Sequence, residues 1–176
     1  KPVCVLRRLQ RCWDLLTTTL SHVGSAGIRG RFRRNGDNTK HMNTIDLLFE
    51  NTKIKGKVIL SDSLHENKAL LKDKTLYKFI WVLSGQLELD VDHQPVVLKE
   101  GQLLTLSHLH HVDFVRVDGE YLSLLFNSNF YCIYGNDHEV SCNGLLFHGS
   151  SHVVIFDLSG EERRKIATLT GIMREE

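Results

Sequence analysis

The 176-residue sequence predicts an all-β sandwich or barrel that runs into a C-terminal amphipathic helix. Three observations predict it. Short β-rich runs recur between Gly and Asp turns, at a spacing of roughly 8–12 residues. One of them, QLELDVD at 86–92, alternates strictly between apolar and polar residues. The chain then changes period at Ser159, where helical spacing replaces alternation.

Residues 1–41 stand apart from this pattern. Nine basic residues against Asp14 and Asp37 give them a net charge of +7. The whole chain carries +1, so residues 42–176 carry −6. A split of this size marks a separate leader. Leu6, Leu9, Trp13, Leu16 and Leu20 fall on one helical face, with Arg7, Arg8 and Arg11 off it. That pattern suits a membrane-surface or organelle-targeting helix. The Gly- and Arg-rich stretch behind it suits phosphate contacts. The plainer reading, and the one adopted, is a non-native or disordered leader before a domain that begins at Met42.

From Met42 the strands follow in order. KVIL at 57–60 is β-rich. KFIWVL at 78–83 is continuously apolar, as expected of a strand buried on both faces. Ser84-Gly85 punctuates it. In the next strand Leu87, Leu89 and Val91 face inward, and Glu88, Asp90 and Asp92 outward. Asp92-His93-Gln94 turns the chain into PVVL at 95–98. Lys99-Glu100-Gly101 turns it again into QLLTL. VDFVRV at 112–117 and EYLSLLF at 120–126 read as a hairpin about Asp118-Gly119. FYCIY at 130–134 and HVVIFDL at 152–158 complete the domain, which spans 42–158. In the final segment, 159–176, Ser159 and Glu162 form a capping box. Ile166, Leu169 and Met173 then recur at helical spacing, with Ile172 at the edge of their stripe. A chain that stops in mid-helix reads as a piece of a longer one.

No apolar run approaches the roughly 18 residues that span a bilayer, and no secretory signal opens the chain. Cys4, Cys12, Cys132 and Cys142 form no C-x-x-C pair and read as reduced thiols of a cytoplasmic protein. Cys132, His138, Cys142 and His148 match no zinc-finger spacing. No nucleophile elbow, phosphate loop or dinucleotide fingerprint is present.

The rhythm of WVLSGQLELDVDHQPVVLKEGQLLTL resembles the cupin double-stranded β-helix, a jelly-roll barrel. EYLSLLFNSNFYCIYGNDHEVSCNGLLFHGSS, with the acidic-start helix after it, is similar to the sensory half of AraC-type transcription regulators. The likeness runs from about Met42 to Glu176. It implies a non-enzymatic domain that binds a small-molecule effector and forms a homodimer. DNA would be bound only through helix-turn-helix units beyond Glu176, which this chain lacks.

The resemblance also frames the histidines of LTLSHLHHVDF. Metal-binding cupins use two motifs that supply three His and one Glu. Anchored on Gly85, the first motif places Lys78 at the Glu position. Lys72 and Lys74, or Leu71 and Asp73, take the His positions. Anchored on Gly101, the second places Val112 at its His position, and His111 misses by one. Lysines repel a cation, so no metal and no cofactor is expected. On a strand continued from Leu104 and Leu106, His108 and His110 share a face. With Trp81 they are the candidate effector-binding residues. Ile166, Leu169 and Met173 are the candidate dimerisation stripe. The competing function is a metal-dependent cupin enzyme, a dioxygenase or isomerase.

Overall fold

The computed structural model describes residues 46–51, 55–130 and 153–175. The leader, the Met42 boundary, all of FYCIY but Phe130, and Cys132, His138, Cys142 and His148 lie outside the described residues. The described chain is mostly antiparallel sheet with one C-terminal helix, as the sequence pattern predicts. Strands β1 (Asp46–Asn51) and β2 (Gly56–Ser61) lead to a 3-10 turn (Leu64–Glu66) and a short helix α1 (Lys68–Lys72). Then come β3 (Leu76–Val91), β4 (Gln94–Lys99), β5 (Gln102–Leu106), β6 (Val112–Asn127), β7 (Val154–Asp157) and helix α2 (Gly160–Glu175). The strand order is β1-β2-β6-β3-β5-β7, with β4 on the free side of the second half of β3. Among the described residues, no helix is long and apolar enough to cross a membrane.

The architecture rests on two 16-residue strands. β3 and β6 pair antiparallel along their whole lengths, from Leu76↔Asn127 to Val91↔Val112. The first half of β3 takes up β5, its second half takes up β4, and the second half of β6 takes up β2. The register slips between Val82 and Ser84, and again between Glu88 and Leu89. Each slip is a β-bulge, and an extra residue on one strand reverses which of its side chains point to which face. Before the first bulge, Leu76, Ile80 and Val82 enter one aliphatic cluster; after it, Leu87, Leu89 and Val91 do. The even-numbered inward set thus becomes odd-numbered without the strand turning over. Val115 is the extra residue of the second bulge and is exposed.

This corrects two sequence expectations. Asp118-Gly119 is no hairpin turn, and Ser84-Gly85 does not end a strand. Residues 112–117 and 120–126 do not pair with each other; both pair with β3. The two glycines face one another in register at the bend. Gly85 has φ +74 and Gly119 φ +138. A Cβ on Gly85 would lie 2.1 Å from the Asp118 carbonyl oxygen, and one on Gly119 2.0 Å from that of Ser84. Glycine is therefore required for close approach of two backbones, a role the dipeptide shares with hairpin turns.

The other turns behave as expected. Asp92 (φ 51) and His93 (φ 66) are both left-handed, which makes the β3–β4 connection a two-residue type I′ turn. The Asp90 carboxylate accepts the His93 N–H at 2.9 Å. KFIWVL is buried on both faces over residues 78–82. One face belongs to the aliphatic cluster, and the other carries Tyr77, Phe79 and Trp81. On that aromatic face Tyr77 stacks on Phe126 with ring centroids 5.6 Å apart. The 3-10 turn and α1 escaped the sequence reading. Asn67 caps α1 by accepting the Leu70 N–H, and this Asn before KALLK was the available signal.

The capping box of α2 forms. The Ser159 N–H donates to Glu162 Oε2 at 2.6 Å, and the Glu162 N–H to Ser159 Oγ at 3.4 Å. Arg163 ties the helix to the sheet. Its Nε donates to the Leu158 carbonyl at 3.1 Å, and its guanidinium lies where a Cβ of Gly101 would sit.

Gly85→Ala is expected to cost about 3 kcal/mol or more, because strain at positive φ adds to a backbone clash. Gly171→Ala, in open space on α2, should instead stabilise by about 0.5–1 kcal/mol. Urea melts of both variants give the comparison.

Candidate functional site

The three histidines of the sequence motif go to three different places. β5 ends at Leu106, and residues 108–109 form a turn, so His108 and His110 share no strand face. The ring of His108 meets Tyr77 edge-on at 5.1 Å. His110 Nδ1 hydrogen-bonds Asp92 Oδ2. The His111 N–H donates to Asp92 Oδ1 at 2.8 Å, and its ring pairs with Asp113 at 2.9 Å. Asp92 thus clasps the 107–111 loop to the β3–β4 turn. Among the described residues, no group of three or more His, Cys, Asp or Glu is arranged to hold a metal ion.

Trp81 is buried on the aromatic face, in register with Leu103 and Leu122. Its Nε1 has no hydrogen-bond partner among the described residues. Tyr77, which carries the His108 contact, lies four residues earlier on the same face, about 13 Å away along the strand. Trp81 and His108 therefore belong to one face at separate points, and His110 stands outside it. On α2, Ile166 and Leu169 are half-buried and Thr170 is buried. The side chain of Met173 lies outside the described residues.

The polar groups that sequence reading missed lie on the opposite, aliphatic face. Lys78 is 1% exposed. It is in register with Leu106 on β5 and Leu125 on β6, both members of the aliphatic cluster. Its Nζ donates to the Leu76 carbonyl at 3.1 Å and to the Asp73 carbonyl at 3.3 Å. The Asp73 carboxylate itself turns to Thr75, accepting from its N–H at 2.8 Å and its hydroxyl at 2.6 Å. Burial pushes the Lys78 ammonium below the ordinary lysine range, and the Asp73 charge offsets only part of this.

Ser123 is fully buried on the same face, in register with Ile80 on β3 and Ser61 on β2. Its Oγ has no hydrogen-bond partner among the described residues. Ser61 Oγ accepts the Ser63 N–H at 3.2 Å. Two positions along β6, the Tyr121 hydroxyl accepts the His65 N–H at 3.0 Å and bonds that residue's ring Nδ1. Lys78, Ser61, Ser123 and Tyr121 thus make a polar arc across three adjacent strands of an otherwise apolar wall. An apolar wall with a few placed polar groups is the usual composition of a small-molecule site. A lysine at the start of an apolar run was the one signal in the sequence.

No family model matches the chain, and no curated protein matches it. Among solved structures it is similar to the AraC-like transcriptional activator CuxR, at 14% identity and a TM-score of 0.43. That match covers 90% of this chain and 56% of the other, so the chain spans little more than half of the activator's length. A cupin protein from Bacteroides fragilis matches at 10% identity over 53% of this chain and 83% of that one, with a TM-score of 0.30. The salicylate 1,2-dioxygenase of Pseudoaminobacter salicylatoxidans matches at 11% identity over 84% and 38%, with a TM-score of 0.33. A regulator and an enzyme stand together in this group.

Burial resists ionisation of Asp92, but the hydrogen bonds from His110 and the His111 N–H, with the charges of both rings, hold its carboxyl below 3.8. A depressed folded value means stability that is present above pH 3.8 and lost as pH falls through the folded value. The side chain is 46% exposed, so solvent screening limits the effect to about 0.5–1 kcal/mol. Asp92→Asn should be less stable than the parent by that amount at neutral pH. The gap should close in strong acid, which thermal melts across pH will show.

Proposed function

We propose that the chain is a cupin-type sensory domain of an AraC-type regulator, binding a small effector and catalysing no reaction. The observation that carries this reading is the polar arc on the aliphatic wall. It offers hydrogen-bond donors to a ligand, and among the described residues no hydrogen bond joins the Lys78 ammonium to the Ser123 hydroxyl as a base would join a nucleophile. The sequence rhythm from Trp81 to Leu106 supports the cupin part, and the stretch from Phe126 to Phe147 supports the regulator part. Trp81 and His108 sit on the aromatic face and report on occupancy by shifts in packing. His110, held by Asp92, sets the position of the adjoining loop. Ile166 and Leu169, both half-buried, form the dimer contact with Met173, and the stripe gains a twofold-related copy. DNA binding belongs to a helix-turn-helix region of a longer parent protein, and the domain acts in the cytoplasm.

The metal-enzyme reading fits the residues poorly. The cupin motif places Lys78 where a carboxylate ligand is needed, and in the fold its buried ammonium donates to the carbonyls of Leu76 and Asp73. A cation so placed opposes a metal ion instead of holding one.

The test is a thermal-shift screen of the full chain against a metabolite panel, with elemental analysis and sedimentation of the same sample. One compound class should raise Tm saturably without being consumed. The parent should sediment as a dimer and Leu169→Asp as a monomer. Turnover of the bound compound, or about one Fe, Mn, Ni or Zn per chain, would overturn the sensory reading. Equal dimerisation of both chains would remove the helix stripe from it.

A further inference from the structure

We infer that the β4–β5 turn, Lys99-Glu100-Gly101, couples the glycine bend of the β3–β6 ladder to helix α2, with Arg163 as the positioning residue that completes the link. One side of the turn is fixed to the bend. The Gly101 N–H donates to the Val82 carbonyl at 2.9 Å, and the Glu100 N–H to the Gly85 carbonyl at 3.0 Å. Val82 and Gly85 flank the first bulge, where β3 changes the parity of its side chains. A change in the bend therefore moves both acceptors, and the turn with them.

The other side of the turn is fixed to the helix. The Leu158 N–H donates to the Gly101 carbonyl at 3.0 Å. Leu158 is buried, and its own carbonyl accepts Arg163 Nε at 3.1 Å. Three guanidinium atoms, Nε, Cζ and Nη2, crowd the place that a Cβ of Gly101 would take. Gly101 is buried with φ +77, so its lack of a side chain serves both the turn and the seat of the guanidinium. Gln102 braces the same corner. Its Oε1 accepts the Lys99 N–H at 2.9 Å, and its Nε2 donates to Asp157 Oδ1 at 2.8 Å.

Packing holds Arg163 more than charge does. Its Nη1 stands 3.7 Å from Glu100 Oε1, but the two side chains are 42% and 60% exposed, and water screens such a pair. The seat on Gly101 lies in the first turn of a 16-residue helix. A tilt of about 10° there displaces the far end of the helix by roughly 4 Å. Ile166 and Leu169 ride on that lever. On the dimer reading above, on which this consequence rests, the bend then sets how the stripe meets a second copy.

A purely structural Arg163 would steady the start of α2 whatever the state of the bend. Coupled sites instead respond to paired substitutions non-additively, and each affects the other. Amide hydrogen exchange of the full chain reads both ends of the link. Ser84→Ala disturbs the bend alone, by removing the Oγ that accepts the Glu120 N–H at 3.3 Å. Exchange at Ile166, Ala167 and Leu169 should rise about three- to tenfold. In an Arg163→Met chain, where the link is already open, Ser84→Ala should leave these amides unchanged. Arg163→Met alone should raise exchange at Glu100 and Gly101. Arg163→Lys, which keeps the charge but not the flat guanidinium, should behave as Arg163→Met. Should these chains fail to fold, Gly101→Ala opens the link from the other side. Asp92→Asn, beyond the end of β3, should leave α2 unmoved. An equal effect of Ser84→Ala with and without Arg163, or no effect in either, would overturn the coupling and leave the sensory reading standing. Sedimentation of the same chains tests the consequence: Ser84→Ala should change the dimer constant only when Arg163 is present. A constant that never changes, beside coupled exchange, would remove the stripe from the dimer reading and leave the link.

Discussion

The contact between Gly85 and Gly119 organises the rest of the molecule. Two backbones meet there at a distance that excludes any side chain. Because they meet, β3 and β6 remain one ladder through the bend and do not end on either side of it. On one side of the bend the ladder gathers β5 on β3 and β2 on β6, and on the other side β3 gathers β4. The adjoining bulges keep the apolar side chains on the same wall after the bend, by reversing the parity of each strand as it passes. Without that reversal, Leu87, Leu89 and Val91 would point away from Ile80 and Val82. One continuous cluster would become two half-buried patches.

That wall also determines which polar groups are buried. A ladder that delivers Leu76, Ile80 and Val82 inward delivers position 78 inward as well, so Lys78 is buried by register and not by its own preference. The same logic brings Ser61 and Ser123 side by side across β2 and β6. Polar groups placed in this way are held by the pairing of the strands themselves. The helix end is secured separately. Arg163 lies against Gly101, and the Leu158 N–H donates to the Gly101 carbonyl at 3.0 Å, so α2 leaves the sheet from a defined point.

Features that depend on neighbours in sequence were legible before the structure. The alternation of QLELDVD, the doubly buried KFIWVL, the turns at Asp92-His93 and Glu100-Gly101, and the Ser159/Glu162 capping box all need only a few consecutive residues. Features that depend on pairing were not. Gly85 and Gly119 were visible as punctuation, but a hairpin turn and a strand bend use the same dipeptides. Only the identity of the paired strand separates them. Likewise, the shared face of His108 and His110 assumed that β5 continues past Leu106, whereas the chain turns at 108–109 and Asp92 takes His110 away. From its position in the motif Lys78 is legible only as an unsuitable metal ligand. Its burial follows from a register that a single strand does not reveal.

Native-state hydrogen exchange on the β3–β6 ladder addresses the central claim, that the glycine bend joins both halves into one cooperative unit. Amides at Ile80 and Val82 before the bend, and at Leu87 and Leu89 after it, should open with a common free energy and respond alike to denaturant. If the second half opened through a separate, lower-energy event while the first stayed protected, the bend would be a hinge between two independent hairpins. The two halves would then not form a single wall.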